Sequence, residues 1–175
     1  MTILEFENKS PKIDSSVFIS QKATVIGDVE IGANSSVWPN AVIRGDIKPI
    51  KIGENTNIQD NVVIHASANM EVKIGNNVSI GHSAVLHSCE IYDNSLVGIH
   101  AVVLDQTKIE SWVLIGAGAV VTPKTVIPSR SLVLGIPSKV VRQLNDADLK
   151  YIEENAKNYV KLAEIYRKML NSNYI

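Results

Sequence analysis

The sequence predicts an all-β solenoid followed by one long C-terminal helix, and three observations lead there. Large apolar side chains, nearly all β-branched, recur every six residues. Mostly small residues recur in fixed phase behind them. The last part of the chain abandons this period for a helical one.

The six-residue step begins Ile13, Ile19, Val25, Ile31, Val37, Ile43. It breaks at RGDIKP, resumes at Ile52, Ile58 and Ile64, breaks again at HASANMEVK, and resumes at Ile74, Ile80 and Leu86. After one shorter step it continues through Ile91, Val97, Val103, Ile109, Ile115, Val121, Ile127 and Val133. An ordinary strand alternates with period two and does not hold this phase. Four residues after most of these positions comes a residue such as Ala23, Ala41, Ala84, Ala101 or Ala119. A large residue, a small one and turn residues between them suit a short strand and a tight corner. Repeats of this length cover their faces only by stacking coil on coil, so residues 1–140 read as a parallel β-helix. Residues 141–175 read as a helix of the same domain. Asn145 or Asp146 can cap it, and Leu149, Ile152, Ala156, Tyr159 or Val160, and Ala163 share one face. Tyr159 reads first as a packing residue of that helix.

Composition narrows the function. A chain of 175 residues is long enough for one domain with a real core. A net charge of -1 offers no polyanion-binding surface, so no nucleic-acid partner is expected. No apolar run approaches the roughly 20 residues that span a bilayer. The opening MTILEFENKSPKID lacks the basic and then apolar pattern of a signal peptide. The single cysteine, Cys89, cannot form an intramolecular disulfide and suits a reducing compartment. These features predict a soluble, cytoplasmic protein with no membrane partner.

The repeat resembles that of the left-handed β-helices of hexapeptide-repeat proteins, in which three hexapeptides make one triangular coil, an exception to right-handed crossover. That resemblance implies about seven coils and turns the period into a ruler, because residues three repeats apart stack at about 4.8 Å. His65 follows Ile64, and His87 follows Leu86 three repeats on, once the extra residues of the ASANMEVK loop are set aside. The two histidines therefore occupy the same place on successive coils and can share one metal. Arg44, which follows Ile43, stacks beneath His65. His82 lies on the neighbouring face, one coil above Asp60, and reaches the pair only from another copy of the chain. A cyclic trimer closes such a heterologous contact. The ruler thus predicts a metal site between subunits, with two histidines from one chain and one from the next. Three neutral imidazoles suit Zn2+ with a fourth position for water, and Fe2+ or Co2+ accept the same donors. His100 reads as lying one coil above His82, as a solvated corner histidine or an accessory proton acceptor.

At these residues the sequence resembles the γ-class carbonic anhydrase family, in its bacterial short-loop form. The matching strings are VIRGDI, TNIQDNVVIH, IGHSAVLHSC and VLDQTKI, with the less specific IGAGAVV, and they run in order through nearly the whole chain. The resemblance implies a homotrimer that hydrates CO2 reversibly to bicarbonate. It makes His65, His82 and His87 the metal ligands and Gln59 the residue that orients metal-bound hydroxide. It places Arg44 and Asp46 at the subunit interface, with Asp60 as an acidic partner of that arginine. NAKNYVKLAEIY resembles tails in which a polar or tyrosine side chain reaches the metal pocket, which carries a catalytic role to Tyr159. Two departures stand out. Ile47 and the short ASANMEVK loop replace acidic residues that serve proton transfer in the archaeal prototypes, so turnover is expected to be slow or to use other groups. His100 stands where relatives usually have glycine.

Two other functions compete. Many hexapeptide-repeat proteins are CoA-dependent acyltransferases, and some relatives are linked to thioesters, so an acyltransferase or acyl-CoA thioesterase is the first. A catalytically weak trimeric scaffold that keeps its metal for assembly is the second.

Overall fold

The repeats stack as the ruler requires. The computed structural model describes residues 1–171, in which short strands, most of two or three residues, pair in parallel from coil to coil. Three ladders of large apolar residues face inward. One runs Val25, Ile43, Ile64, Leu86, Val103, Val121. A second runs Ile13, Ile31, Ile52, Ile74, Ile91, Ile109, Ile127. The third runs Ile19, Val37, Ile58, Ile80, Val97, Ile115, Val133. All are buried except Ile13 and Ile19, the first members of their ladders, which are partly buried. The small residues Ala23, Ala41, Val62, Val78, Ala84, Ala101, Val113 and Ala119 are buried as well, filling the corners of the triangle.

Corner chemistry follows from backbone geometry. Three residues past the ladder positions the chain enters the left-handed region, which asparagine tolerates better than most residues. Asn34, Asn40, Asn55, Asn61, Asn77 and Asn94 take φ between 54° and 61° there. At a different corner the strands Thr24–Ile31 and Val42–Ile52 run continuously from one face to the next. Gly27, at φ 77°, and Gly45 meet there, and a Cβ on Gly27 would stand 2.6 Å from the Gly45 carbonyl oxygen.

His100 belongs to the corner series. Ile80 pairs with Val97, so Ser83 and not His82 lies level with His100. His100 has φ 57°, beside Ser83 at 60° below it and Gly118 at 67° above. The expectation that it stacks over His82 is off by one residue. Its backbone explains why glycine suits the position.

The C-terminal end departs from expectation between 139 and 145. Lys139–Gln143 forms a strand that returns antiparallel along Ser131–Leu134 and covers the last rung. Its adjacent Val140 and Val141 favour that extended form. The helix then spans Asp146–Asn171. The Asn145 side chain accepts from the Asp148 amide at 3.0 Å, while Asp148 accepts from the Asn145 amide at 2.8 Å, a reciprocal cap. Residues 172–175, expected to be helical, lie outside the described residues. Ile152, Ala156 and Ala163 are buried against the Ile19-ladder face, where Ile152 joins Leu96 and Leu144, and Ala163 joins Phe18 and Trp38. No helix among the described residues is long and apolar enough to cross a membrane.

Two outcomes test this architecture. Burial pushes the Cys89 thiol up to about 12, so a thiol reagent at pH 8 should leave the folded protein unmodified and react fully after denaturation. Replacing His100 with glycine should raise stability by about 1 kcal/mol in urea unfolding, because it removes the Cβ from a left-handed position.

Candidate metal centre

The site grows from the ends of two stacked strands. Val63–His65 and Val85–His87 pair with His65 directly opposite His87, and Arg44 lies opposite His65 on the other side. The Arg44, His65, His87 column expected from the period is therefore present. His65 Nδ1 and His87 Nε2 stand 3.3 Å apart. Two nitrogens bound tetrahedrally to one zinc at 2.0–2.1 Å would be separated by about 3.3 Å, so the pair fits a shared ion.

The remaining ring nitrogens are engaged by carboxylates. His65 Nε2 meets Asp46 Oδ1 at 3.0 Å, and His87 Nδ1 meets Asp105 Oδ2 at 2.9 Å. On the neighbouring face, His82 Nδ1 meets Asp60 Oδ2 at 2.9 Å. Each carboxylate accepts an N–H and so directs the lone pair to the opposite nitrogen: Nδ1 of His65, Nε2 of His82 and of His87. This is how ligating histidines are usually oriented.

The carboxylates are themselves held. The Arg44 guanidinium also bonds Asp46. Partial burial raises the Asp46 carboxyl, but hydrogen bonds from Arg44 and His65 outweigh it and leave the group below the usual carboxylate range. At Asp105, burial is likewise outweighed by the bond and charge of His87 and by Ser67, whose hydroxyl donates at 3.1 Å. Ser88 Oγ, fully buried, accepts from the Ser67 amide at 2.7 Å and completes the brace. Among the described residues Arg44 pairs with Asp46 and not with Asp60, whose partner in the chain is His82.

Gln59 is buried and immobilised. Its Nε2 donates to Asn57 Oδ1 at 3.0 Å and its Oε1 accepts from the His82 amide at 3.1 Å. One N–H of its amide stays available to a ligand. Tyr159 does two things at once. Its ring packs edge-on against Trp38, with centroids 5.5 Å apart, and its hydroxyl lies 3.5 Å from His82 Nε2. Burial and the nearby Asp60 charge raise its phenol, which stays neutral near pH 7. Asp105, Ser67, Ser88 and Asn57 were missed as site residues. The ruler held a signal for Asp105, which stands one residue past Leu104, the level of His87.

No group of three or more His, Cys, Asp or Glu able to hold a metal forms within one chain among the described residues. His65 and His87 supply two donors together, and His82 stands apart on the next face.

The family model "Bacterial transferase hexapeptide (six repeats)" matches residues 10–45, and the solenoid matches a left-handed hexapeptide β-helix. Among curated proteins, "Gamma carbonic anhydrase 2, mitochondrial" of Arabidopsis thaliana is 43% identical over 94% of this chain, which spans 62% of that protein's length. "Probable carbonic anhydrase" of Methanocaldococcus jannaschii is 55% identical over 87% of this chain and 96% of its own. The chain belongs to the γ-class carbonic anhydrase family. A solved structure, a hexapeptide transferase family protein from Anaplasma phagocytophilum, superposes on this γ-class chain with a TM-score of 0.91 at 38% identity, covering 94% of this chain and 98% of that one.

The carboxylate behind each histidine makes a measurable claim about this γ-class chain. Asp105→Ala should weaken metal binding about 10- to 100-fold in a competitive chelator titration, with the circular dichroism spectrum unchanged.

Proposed function

We propose that the protein is a metal-dependent carbonic anhydrase that interconverts CO2 and bicarbonate as a homotrimer. His65 and His87 of one subunit and His82 of the partner subunit hold the ion. The observation that carries this reading is the pair of facing imidazole nitrogens 3.3 Å apart, each ring backed by its own carboxylate. The γ-class relatives supply the reaction class, and the place of His82 on the adjacent face, apart from the pair, supplies the reason for a trimer.

Zn2+ fits the donor set, as do Fe2+ and Co2+, and a divalent metal held there supplies an activated water at neutral pH. The chain's own residues do the rest. Gln59, locked at both ends of its amide, presents its free N–H to the attacking oxygen and holds it toward the substrate carbon. Tyr159, a neutral phenol, donates a hydrogen bond at the His82 side of the site, where negative charge grows as bicarbonate forms. Arg44 keeps Asp46 charged and so keeps the His65 ring in the orientation ligation needs.

Proton export is the weak step. Ile47 is half exposed and carries no proton. The acid in the adjoining loop, Glu71, bridges Lys73 at 2.7 Å and Lys51 at 3.6 Å. The Lys73 hydrogen bond outweighs burial and lowers its carboxyl, so it is a poor proton acceptor near neutrality. The turnover number should therefore rise with imidazole buffer concentration, and Ile47→Glu should reduce that dependence.

Metal analysis of protein purified without added metal, paired with stopped-flow CO2 hydration, tests the reading. Stoichiometric metal lost in His65→Ala together with hydration activity supports it. Acetyl-CoA binding without metal favours acyl transfer instead. A trimer that dissociates on chelation and is inactive in both states favours the scaffold.

A further inference from the structure

The two ends of the solenoid are finished differently. At the far end the strand Lys139–Gln143 returns across the last rung. At the near end Thr2–Leu4, Lys12–Ile13 and Phe18–Ile19 form the first coil, and among the described residues each pairs only with the strand above it. Ile3 stands below Val25, Ile13 below Ile31 and Ile19 below Val37, so all three ladders open downward here. Ile3 is 42% exposed although it occupies a core position. A solenoid ordinarily caps the apolar layer at its end.

This base is hollowed into a pocket of about 280 Å³. Ile3, Ile13, Val17 and Ile19 line it from the first coil, and Arg167 and Leu170 from the last turns of the helix. Arg167 is the one charged side chain among the described lining residues. Its Nη1 donates to the Ser16 carbonyl at 2.8 Å, which holds the guanidinium at the rim. The rest of the fork has no acceptor among the described residues.

An apolar cavity with one unpaired guanidinium selects its ligand. Aliphatic carbon packs on the bare ladder ends at about 3.5–4.0 Å, close to the roughly 4.8 Å at which another coil would lie. A carboxylate matches the fork of arginine in shape and carries the opposite charge. An alkylamine is repelled, an alcohol leaves the charge uncompensated, and a second carboxylate would fall on the apolar wall.

We infer that the base of the solenoid binds a small aliphatic monocarboxylate, with its chain across Ile3, Ile13 and Ile19 and its carboxylate on Arg167. The ligand supplies the layer that one more coil would have supplied, and it ties the end of the helix to the first coil. No metal-site residue takes part, so the inference stands apart from the proposed function.

Calorimetric titration of the metal-loaded full chain with acetate, butyrate and hexanoate near neutral pH tests it. Affinity should rise roughly two- to fourfold per added methylene. Hexanoate should bind about tenfold or more tighter than hexanol. Arg167→Gln keeps a donor for the Ser16 carbonyl and should weaken hexanoate about tenfold or more, with hexanol held within about twofold. Ile3→Ser should flatten the dependence on chain length. Both variants should keep the parent circular dichroism spectrum, and His65→Ala should bind hexanoate as the parent does. Hexanoate no tighter than hexanol, or indifferent to Arg167→Gln, overturns the inference. So does binding lost in His65→Ala, which assigns the ligand to the metal centre. Absence of hexanoate binding overturns it as well. If the mass in sedimentation then doubles with protein concentration and Ile3→Asp reverses this, a second copy of the chain covers the base.

Discussion

Everything in this molecule depends on parallel stacking of one coil on the next at the spacing of adjacent strands. A two- or three-residue strand has no stability of its own. It persists because its backbone groups bond the coils on either side and its inward side chain lies between two like neighbours. The ladder from Val25 through Ile64 and Leu86 to Val121 shows the result, with every member buried. The same stacking brings His65 and His87, far apart in the chain, into direct register. The facing histidine pair is thus a product of the core repeat, and a slip of one residue between those coils would abolish it.

The second constraint is electrostatic. Imidazoles that face one another cannot both turn a proton inward, and Asp46 and Asp105 prevent this by taking the N–H on the far side of each ring. Those carboxylates are kept charged by partners of their own, Arg44 and Ser67. Control of the histidines therefore extends across several coils. A corner position takes part: Ser88, in the left-handed region, bonds Ser67 through its hydroxyl, and Ser67 in turn bonds Asp105.

The helix adds what a bare solenoid lacks. Its aromatic contacts hold it to one face, where Trp38 packs against Phe18, Tyr159 and Tyr166 with centroids 5.1–5.5 Å apart. That anchoring sets the Tyr159 hydroxyl over His82 and leaves a cleft open between helix and sheet farther up. Packing and chemistry are here one arrangement, because moving the tyrosine would uncover the tryptophan.

Much of this was readable from the chain. The six-residue period determined the solenoid, the ladder membership and the stacking of Arg44, His65 and His87, because a strict period converts sequence distance directly into height along the stack. It stated the level of a residue and left open the direction of its side chain. For that reason the contact of Asp60 with His82 was not visible in it, and Asp105 went unassigned although its level was available. The same period, counted three residues past Ile80 and Val97, puts His100 level with Ser83 and not with His82. The strand at Lys139–Gln143 was hidden too, since nothing local announces that the last rung needs covering. Only the tertiary structure decided how the side chains turn, which carboxylate backs which histidine, and how much space the helix leaves beside the sheet, because each depends on contacts between residues with no fixed interval in the sequence.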